Sequence, residues 1–444
     1  MKRVTKTMRD AGLLMIAVAA LLPLLLFAVD ADAMIDGVSG TSFAFTAKAD
    51  HISTPDGGSV LFWGYANGNG RAQYPGPTLI VNQGDTITIT LKNKLPNQLS
   101  MPVSIVFPGQ EGVTAAGGTT GLLTQESSGI NLTDTVTYTF TATRAGTYLY
   151  HSGTRPELQV EMGLIGAIIV RPYAGADQAY NDPATQFDHE YLFLLSEMDP
   201  RIHDLVEFQG VAALESTDYL SDYFPNYWFI NGRNAPDTMF APYAKWLPTQ
   251  PYNCMPMTHP GDRMLMRVIG AGRDLHPFHH HGNHSRVIAK DGRLLESDPG
   301  VSGLDLSYEV FTIQSVPGKT VDAIFQWTGK GMGWDIYGDT PHDCVDGDGD
   351  GFDDTTHEYC ADHGKPFPVN LPGDQELTFG GFWSGSPFLG SSEPLPPGEG
   401  GLNPNAGFAF MWHSHTEKEM TNYDIFPGGM MTMMIINPPG TIVP

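Results

Sequence analysis

Short runs in which apolar residues alternate with polar ones, or follow one another without interruption, recur along most of the chain between Gly- and Pro-rich breaks. Between Asp85 and Leu91, the residues Ile87, Ile89 and Leu91 alternate with threonines, the period-two pattern of a strand with one buried and one solvated face. TDTVTYTFTATRAGTYLYH, LIGAIIVRP, YLFLLSEM, DRMLMRVIGAG, SRVIAKDGRLL, EVFTIQSV and TVDAIFQW continue the series, and none of them carries a sustained helical period. The pattern predicts an all-β protein of the sandwich or barrel kind.

The strand series is interrupted once, by the polar stretch YAGADQAYNDPATQFDHE, and resumes at Tyr191. A chain of 444 residues also exceeds a typical single domain. Two domains are therefore expected, residues 34–172 and 191–444, joined by a linker at 173–190. GFWSGSPFLGSSEPLPPGEGGLNPNAG reads as a long loop within the second domain.

The N-terminus changes the picture of where the protein works. A basic opening, MKRVTKTMRD, precedes the apolar run AGLLMIAVAALLPLLLFAV and the triplet Ala31-Asp32-Ala33. That is the layout of a secretory signal peptide, residues 1–33, and predicts a periplasmic or secreted chain with no membrane attachment after cleavage; a retained anchor is the competing reading. A net charge of -25 excludes nucleic acid and anionic lipid as partners, because phosphate binding needs clustered Lys and Arg. Of the cysteines Cys254, Cys344 and Cys360, the last two are close in sequence and are expected to pair in an oxidising compartment. Cys254 is left over, and burial is the usual fate of such a residue.

The main chemical signal is HPFHHHGNH, His276 to His284. Alternation along a strand would put His279 and His281 on one face and His280 on the other. Trp412-His413-Ser414-His415 repeats the arrangement near the C-terminus. Two such pairs on neighbouring strands would bring together four imidazoles, a suitable set for Cu(II) or Zn(II). The competing reading is an inherited histidine framework whose metal has been lost.

HPFHHHG resembles the His-Pro-x-His-x-His-Gly motif of multicopper oxidases, and FMWHSHTEKEMTNYDIFPGGMM resembles their C-terminal His-Cys-His motif. YPGPTLIVNQGDTITITLKNKLP is similar to the opening strands of their first cupredoxin domain, GTYLYHSGTRPELQVEMGLIGAIIV to a segment that normally reads Tyr-His-Ser-His, and YWFINGRNAPDT to a strand and turn common in the family. The resemblance implies two cupredoxin-like Greek-key β-sandwich domains. It also implies a type 1 copper that accepts electrons and a three-copper cluster that reduces dioxygen. His276 and Met430 match type 1 ligands, but Ser414 stands at the cysteine and Glu419 at the second imidazole. A hydroxyl cannot replace a thiolate for copper, so no blue site is expected. Val106 and Pro108 replace the first His-x-His of the cluster, and Gly153 replaces the second His of Tyr-His-Ser-His.

Five of the eight cluster positions survive, His151, His279, His281, His413 and His415. The resemblance then implies an incomplete cluster and one ion held by three or four of these imidazoles, with His284 or Glu417 as outside helpers. Together with His276 they are the candidate copper residues. In two-domain members of the family, a trimer places the cluster between domains of neighbouring subunits. His151 would then face another subunit's remaining histidines.

Between Cys344 and Cys360, CVDGDGDGFDDTTHEYC places Asp346, Asp348, Asp350 and Asp354 at the first, third, fifth and ninth positions of a calcium loop, with Gly351 sixth and the Phe352 carbonyl seventh. His357 stands at the twelfth position in place of the usual Glu, so the segment resembles a short aspartate-rich loop more than a complete EF-hand. Two functions fit these features. One is a copper-dependent oxidoreductase acting on a small molecule or metal ion, and the other is a non-catalytic copper-binding or structural cupredoxin scaffold with calcium as a second cofactor.

Overall fold

The computed structural model describes residues 35–96, 99, 101–129, 134–337, 341–366, 408–437 and 443. The signal peptide read at 1–33 and the Gly/Pro-rich loop at 381–407 lie outside these residues. The described chain is dominated by strands, arranged as two β-sandwiches.

In the first sandwich, a five-stranded sheet runs in the order Ser59–Asn67, Ser42–Ser53, Thr86–Asn93, Thr135–Thr141, Thr114–Gly117. It faces a four-stranded sheet of Val38–Ser39, Leu79–Asn82, Ile165–Arg171 and Gly146–His151. The alternation read at Thr86–Asn93 is the reason for this placement: Ile87, Ile89 and Leu91 are buried in the core between the sheets and the threonines look outward. In the second sandwich, a seven-stranded sheet built on His189–Met198, Arg263–Gly270 and Thr320–Gln326 faces a five-stranded sheet. The latter runs in the order Met257–Thr258, Met431–Ile436, Phe408–Ser414, His276–His280, Thr312–Ser315.

A further apolar core joins the two sandwiches. Along Ile165–Arg171, Ile168 and Val170 enter the first core, whereas Ile165, Ala167 and Ile169 enter the joining one. Along His189–Met198, Phe193 and Leu195 enter the second core, whereas Leu192 and Leu194 face the joining one. Both strands read as continuous apolar runs because both their faces are covered. The segment expected to be a linker is itself packed, with Ala179, Tyr180, Thr185 and Phe187 buried. A ten-residue helix, Pro200–Gln209, which the strand pattern did not announce, is capped by the Asp199 carboxylate and sets Ile202 and Val206 into the first core.

Polar groups also cross the junction. Glu190 accepts hydrogen bonds from Arg171 of the first sandwich (2.8 Å) and Arg267 of the second (2.9 Å). Arg267 also donates to Thr147 (3.0 Å), whose hydroxyl donates to Asp322 (2.6 Å). Burial acts to raise the Glu190 carboxyl, yet Arg267 and Arg171 hold it below the ordinary glutamate value. Removing one cation from such a cluster leaves buried carboxylates uncompensated. The Arg267→Met chain is expected to lose about 3–5 kcal/mol in urea unfolding at neutral pH, and a loss below about 1 kcal/mol would show that the junction does not depend on this charge.

Candidate metal centre

The strands His276–His280 and Phe408–Ser414 pair antiparallel, with Phe278 opposite Ser414, His279 opposite His413 and His280 opposite Trp412. Phe278, Phe410 and Trp412 point into the second core, so His279 and His413 emerge together on the other face of the sheet. His280 takes the inward direction, as expected. Its ring packs edge-on against Trp412 and Phe325, and its Nε2 lies 3.1 Å from the Val310 carbonyl.

His281 joins the pair by a different route from the one its spacing suggested. The strand ends at His280, and the turn through Gly282 (φ +102°) brings the His281 ring to 4.7 Å from that of His279. A side chain at 282 would be strained by that φ and would press on the Phe410 ring. The result is a group of three buried imidazoles, His279, His281 and His413, whose ligand atoms all lie within 4.8 Å of one another.

The ring nitrogens are oriented by their neighbours. His413 Nδ1 lies 2.8 Å from the Ser414 carbonyl and must carry its proton there, which leaves Nε2 unprotonated in the neutral ring. His279 Nδ1 lies 3.0 Å from the Thr312 hydroxyl. His281 Nε2 stands 3.3 Å from His413 Nε2, while its buried Nδ1 has no hydrogen-bond partner. Two donors held by one tetrahedral ion at about 2.0–2.1 Å sit roughly 3.3 Å apart, so this spacing suits a shared metal. Burial, then repulsion from His413 and His415, lowers His279 to about 4. Burial, then His279 and His413, lowers His281 to about 3. Burial also lowers His413. These imidazoles are neutral at physiological pH, the form that ligates.

Two other candidate residues are nearby in kind but outside this group. His415 follows the strand, is exposed, sets its ring 4.9 Å from His279 and has its Nδ1 3.0 Å from Glu417. His151 ends the strand Gly146–His151 and repeats the His413 arrangement, with Nδ1 2.9 Å from the carbonyl of the following serine, Ser152. Its backbone pairs with Val106. A Cβ at Gly153 would lie 2.7 Å from the Val106 side chain, so at two of the three positions of the first sandwich where the resemblance expects imidazoles, a valine packs in the space that a side chain at 153 would need. His284 packs its ring 5.3 Å from Phe311, outside the three-histidine group.

His276, expected among the copper residues, is not brought into that group. It lies on the buried side of the sheet, where Nδ1 is 2.8 Å from Glu419 and Nε2 is 2.8 Å from Glu197. Ser414 is on the same side, and Met430 belongs to the same core. Glu419, at the position of the second imidazole, thus acts as a counter-ion for the first one. Burial opposes charge on His276, but the hydrogen bonds to Glu197 and Glu419 raise its pKa to about 10.

In the acidic loop, Asp346, Asp348 and Asp354 converge within 4.8 Å, and Asp350 is outside their group, accepting instead from the Phe352 amide (2.8 Å). Cys344 and Cys360 form the expected disulfide, with Cα atoms 5.5 Å apart. Cys254 is buried, and burial pushes its thiol up to about 12, so it is an inert core residue. Sequence reading missed a second convergent set, Asp335, His342, Glu358 and His363, because its donors are scattered on both sides of that disulfide with no strand periodicity to link them. It also missed His189, His259 and Asp262, where two imidazoles share one carboxylate.

The fold is that of a cupredoxin-type protein. Residues 49–175, which take in most of the first sandwich, match the family model described as multicopper oxidase. The chain is 32% identical over 179 residues to L-ascorbate oxidase of Nicotiana tabacum, covering 40% of this chain and 28% of that one. It is 36% identical over 135 residues to copper resistance protein A of Escherichia coli, covering 30% and 20%. The match thus spans less than a third of the length of either relative. The solved structure of the multicopper oxidase mgLAC superposes with a TM-score of 0.54 at 20% identity, over 91% of this chain and 87% of that one, and shows the shared fold. Among the described residues, no helix is long and apolar enough to cross a membrane.

The His276 geometry generates a pH prediction. Its folded pKa, about 10, exceeds the ordinary 6.5, so its contribution to stability is full below about pH 6.5 and is lost as pH rises through about 10. Urea unfolding of the metal-free protein should therefore show stability falling between about pH 7 and about pH 10, with a shallower fall in Glu419→Gln. Equal slopes for the two proteins would show that His276 is not held charged by Glu419.

Proposed function

We propose that this chain is an exported, copper-dependent oxidoreductase of the multicopper oxidase type that works without a blue type 1 site. The observation that carries this reading is the convergence of His279, His281 and His413, buried and unprotonated, on one face of the second sandwich. Copper bound there would supply one-electron chemistry. The chain's own part is to present unprotonated nitrogens, fixed in direction by Thr312 and the Ser414 carbonyl. The substrate class is a small molecule or a metal ion. Export is supported by the disulfide, a bond at home in oxidising compartments.

The site is completed, on this reading, in a homotrimer in which His151 of a neighbouring subunit approaches His415 and the buried trio. Exposed apolar residues at both places support it. Leu122 is 92% and Leu123 59% exposed, with Leu123 beside Gly153, and Phe311, against the His279 ring, is 56% exposed. A non-catalytic copper-binding scaffold is the second reading. It is favoured by the replacement of the electron entry site with the Glu197–His276–Glu419 charge cluster. The acidic loop is proposed to bind calcium through Asp346, Asp348 and Asp354, whose close carboxylates repel one another without a cation.

Copper content at equal protein concentration tests the site. His281→Ala and His413→Ala should lose most bound copper, His280→Ala should retain it, and His151→Ala should lose part of it only if subunits close the site. Equal copper in all of these and in wild type would eliminate the site. The copper-loaded protein should show no intense band near ~600 nm, which requires a copper–thiolate bond. Oxygen uptake with electron donors then separates the two readings, since a scaffold consumes none.

Adding calcium(II) to metal-stripped protein should raise its melting temperature by linkage, and Asp348→Ala should abolish most of the rise. A melting curve unmoved by calcium would make the loop an acidic turn and nothing more.

A further inference from the structure

The insertion between the strands Thr320–Gln326 and Phe408–Ser414 builds a polar cluster that shares no residue with the histidine trio. Asp335 follows Trp334 and precedes Ile336 and Tyr337, all three of which are buried. Glu358 lies within the segment that the Cys344–Cys360 disulfide closes, and His342 and His363 flank it on either side. Ligand atoms of all four lie within 4.8 Å of one another. His342 Nε2 is 2.9 Å from Glu358 and 3.7 Å from Asp335. His363 Nδ1 is 3.1 and 3.2 Å from the two oxygens of Glu358 and 3.8 Å from Asp335. The two imidazole rings are 4.7 Å apart and nearly perpendicular, at 86°.

These distances bracket the roughly 3.3 Å expected between donors on one tetrahedral ion at about 2.0–2.2 Å. His363 Nδ1 is shared almost evenly between both Glu358 oxygens, whereas a single hydrogen bond would favour one. Both carboxylate side chains are only 1% exposed, and they face each other. Ligand oxygens of the two carboxylates lie within 4.8 Å of one another, a repulsion that a cation between them would relieve. The carboxylate of Asp335 is already oriented by the amides of Tyr337 and Gly364, each at 2.8 Å, as a supporting shell around a metal ligand would be. Two carboxylates, two neutral imidazoles and one divalent ion sum to zero charge, which suits a buried place.

The geometry points to a structural site for a divalent first-row transition ion of the zinc(II) class, bound by Asp335, His342, Glu358 and His363. With four protein ligands the site is closed, and the ion acts as a cross-link. It ties the disulfide-closed segment, which also carries the acidic loop, to Asp335 and so to the core of the second sandwich.

The test counts zinc by elemental analysis after metal-stripped full-length protein is equilibrated with zinc(II) chloride, with excess calcium(II) to occupy the acidic loop, and gel-filtered. In the His281→Ala/His413→Ala background, which disables the trio, one zinc per chain is expected. Adding His363→Ala should cut this below a tenth. Should that variant fail to fold by circular dichroism, Glu358→Gln, which keeps the side-chain shape, carries the comparison with the same expected loss. In the wild-type chain either substitution should lower the count by one. Zinc should also raise the melting temperature of the background chain and leave that of the variant unmoved. No zinc retained by the background chain, or equal zinc with and without these substitutions, overturns the site and leaves two imidazole–carboxylate hydrogen bonds in its place.

Discussion

The antiparallel register that sets His279 opposite His413 is the constraint on which the rest of the site depends. Side chains alternate along a strand, so this one pairing divides the two histidine segments between two environments. His279 and His413 share the outer face, and His276, His280 and Ser414 share the inner one. A slip of one residue would exchange these sets, placing Trp412 outside and imidazoles in the core. Phe278, Trp412 and Phe325 form one aromatic contact group beneath the strands, and its burial holds the register.

On the inner face, the place that the family resemblance gives to a type 1 copper holds a hydrogen-bonded imidazole instead. Ser414 and Glu419 stand where a thiolate and an imidazole would ligate, and a lone neutral His276 would there be a buried ring with unmet nitrogens. Glu419 and Glu197 instead bind both nitrogens and favour the charged ring. The replacements are mutually dependent, since either carboxylate without the imidazolium would be a buried uncompensated charge. The same coupling operates in the first sandwich, where Val106 occupies the space that a side chain at position 153 would need. Where this chain departs from the pattern the resemblance implies, the residues present are packed and mutually consistent.

The four-layer arrangement bears on the site as well. Because the two sandwiches share a buried apolar core and the Arg171–Glu190–Arg267 cluster, His151 is carried on a body firmly joined to the one that carries the trio.

Much of this was legible in the residue pattern. Alternation at Ile87, Ile89 and Leu91 announced a half-buried strand, runs such as LIGAIIVRP announced further strands, and the two His-x-His segments pointed to four imidazoles, of which His279, His281 and His413 meet while His415 stays outside. These are local properties, set by the two-residue repeat of a strand. The helix Pro200–Gln209 was also encoded locally, by its Asp-Pro start and the apolar pair Ile202 and Val206, although a reading tuned to strands passed over it. What the sequence by itself could not determine depends on which distant residues become neighbours. The capture of His276 by Glu197, the filling of the Gly153 space by Val106, and the meeting of Asp335, His342, Glu358 and His363 across a disulfide all join residues with no common period. Only tertiary packing decides them, because the free energy of a buried charge or a filled cavity is a property of the whole surrounding shell and not of any one segment.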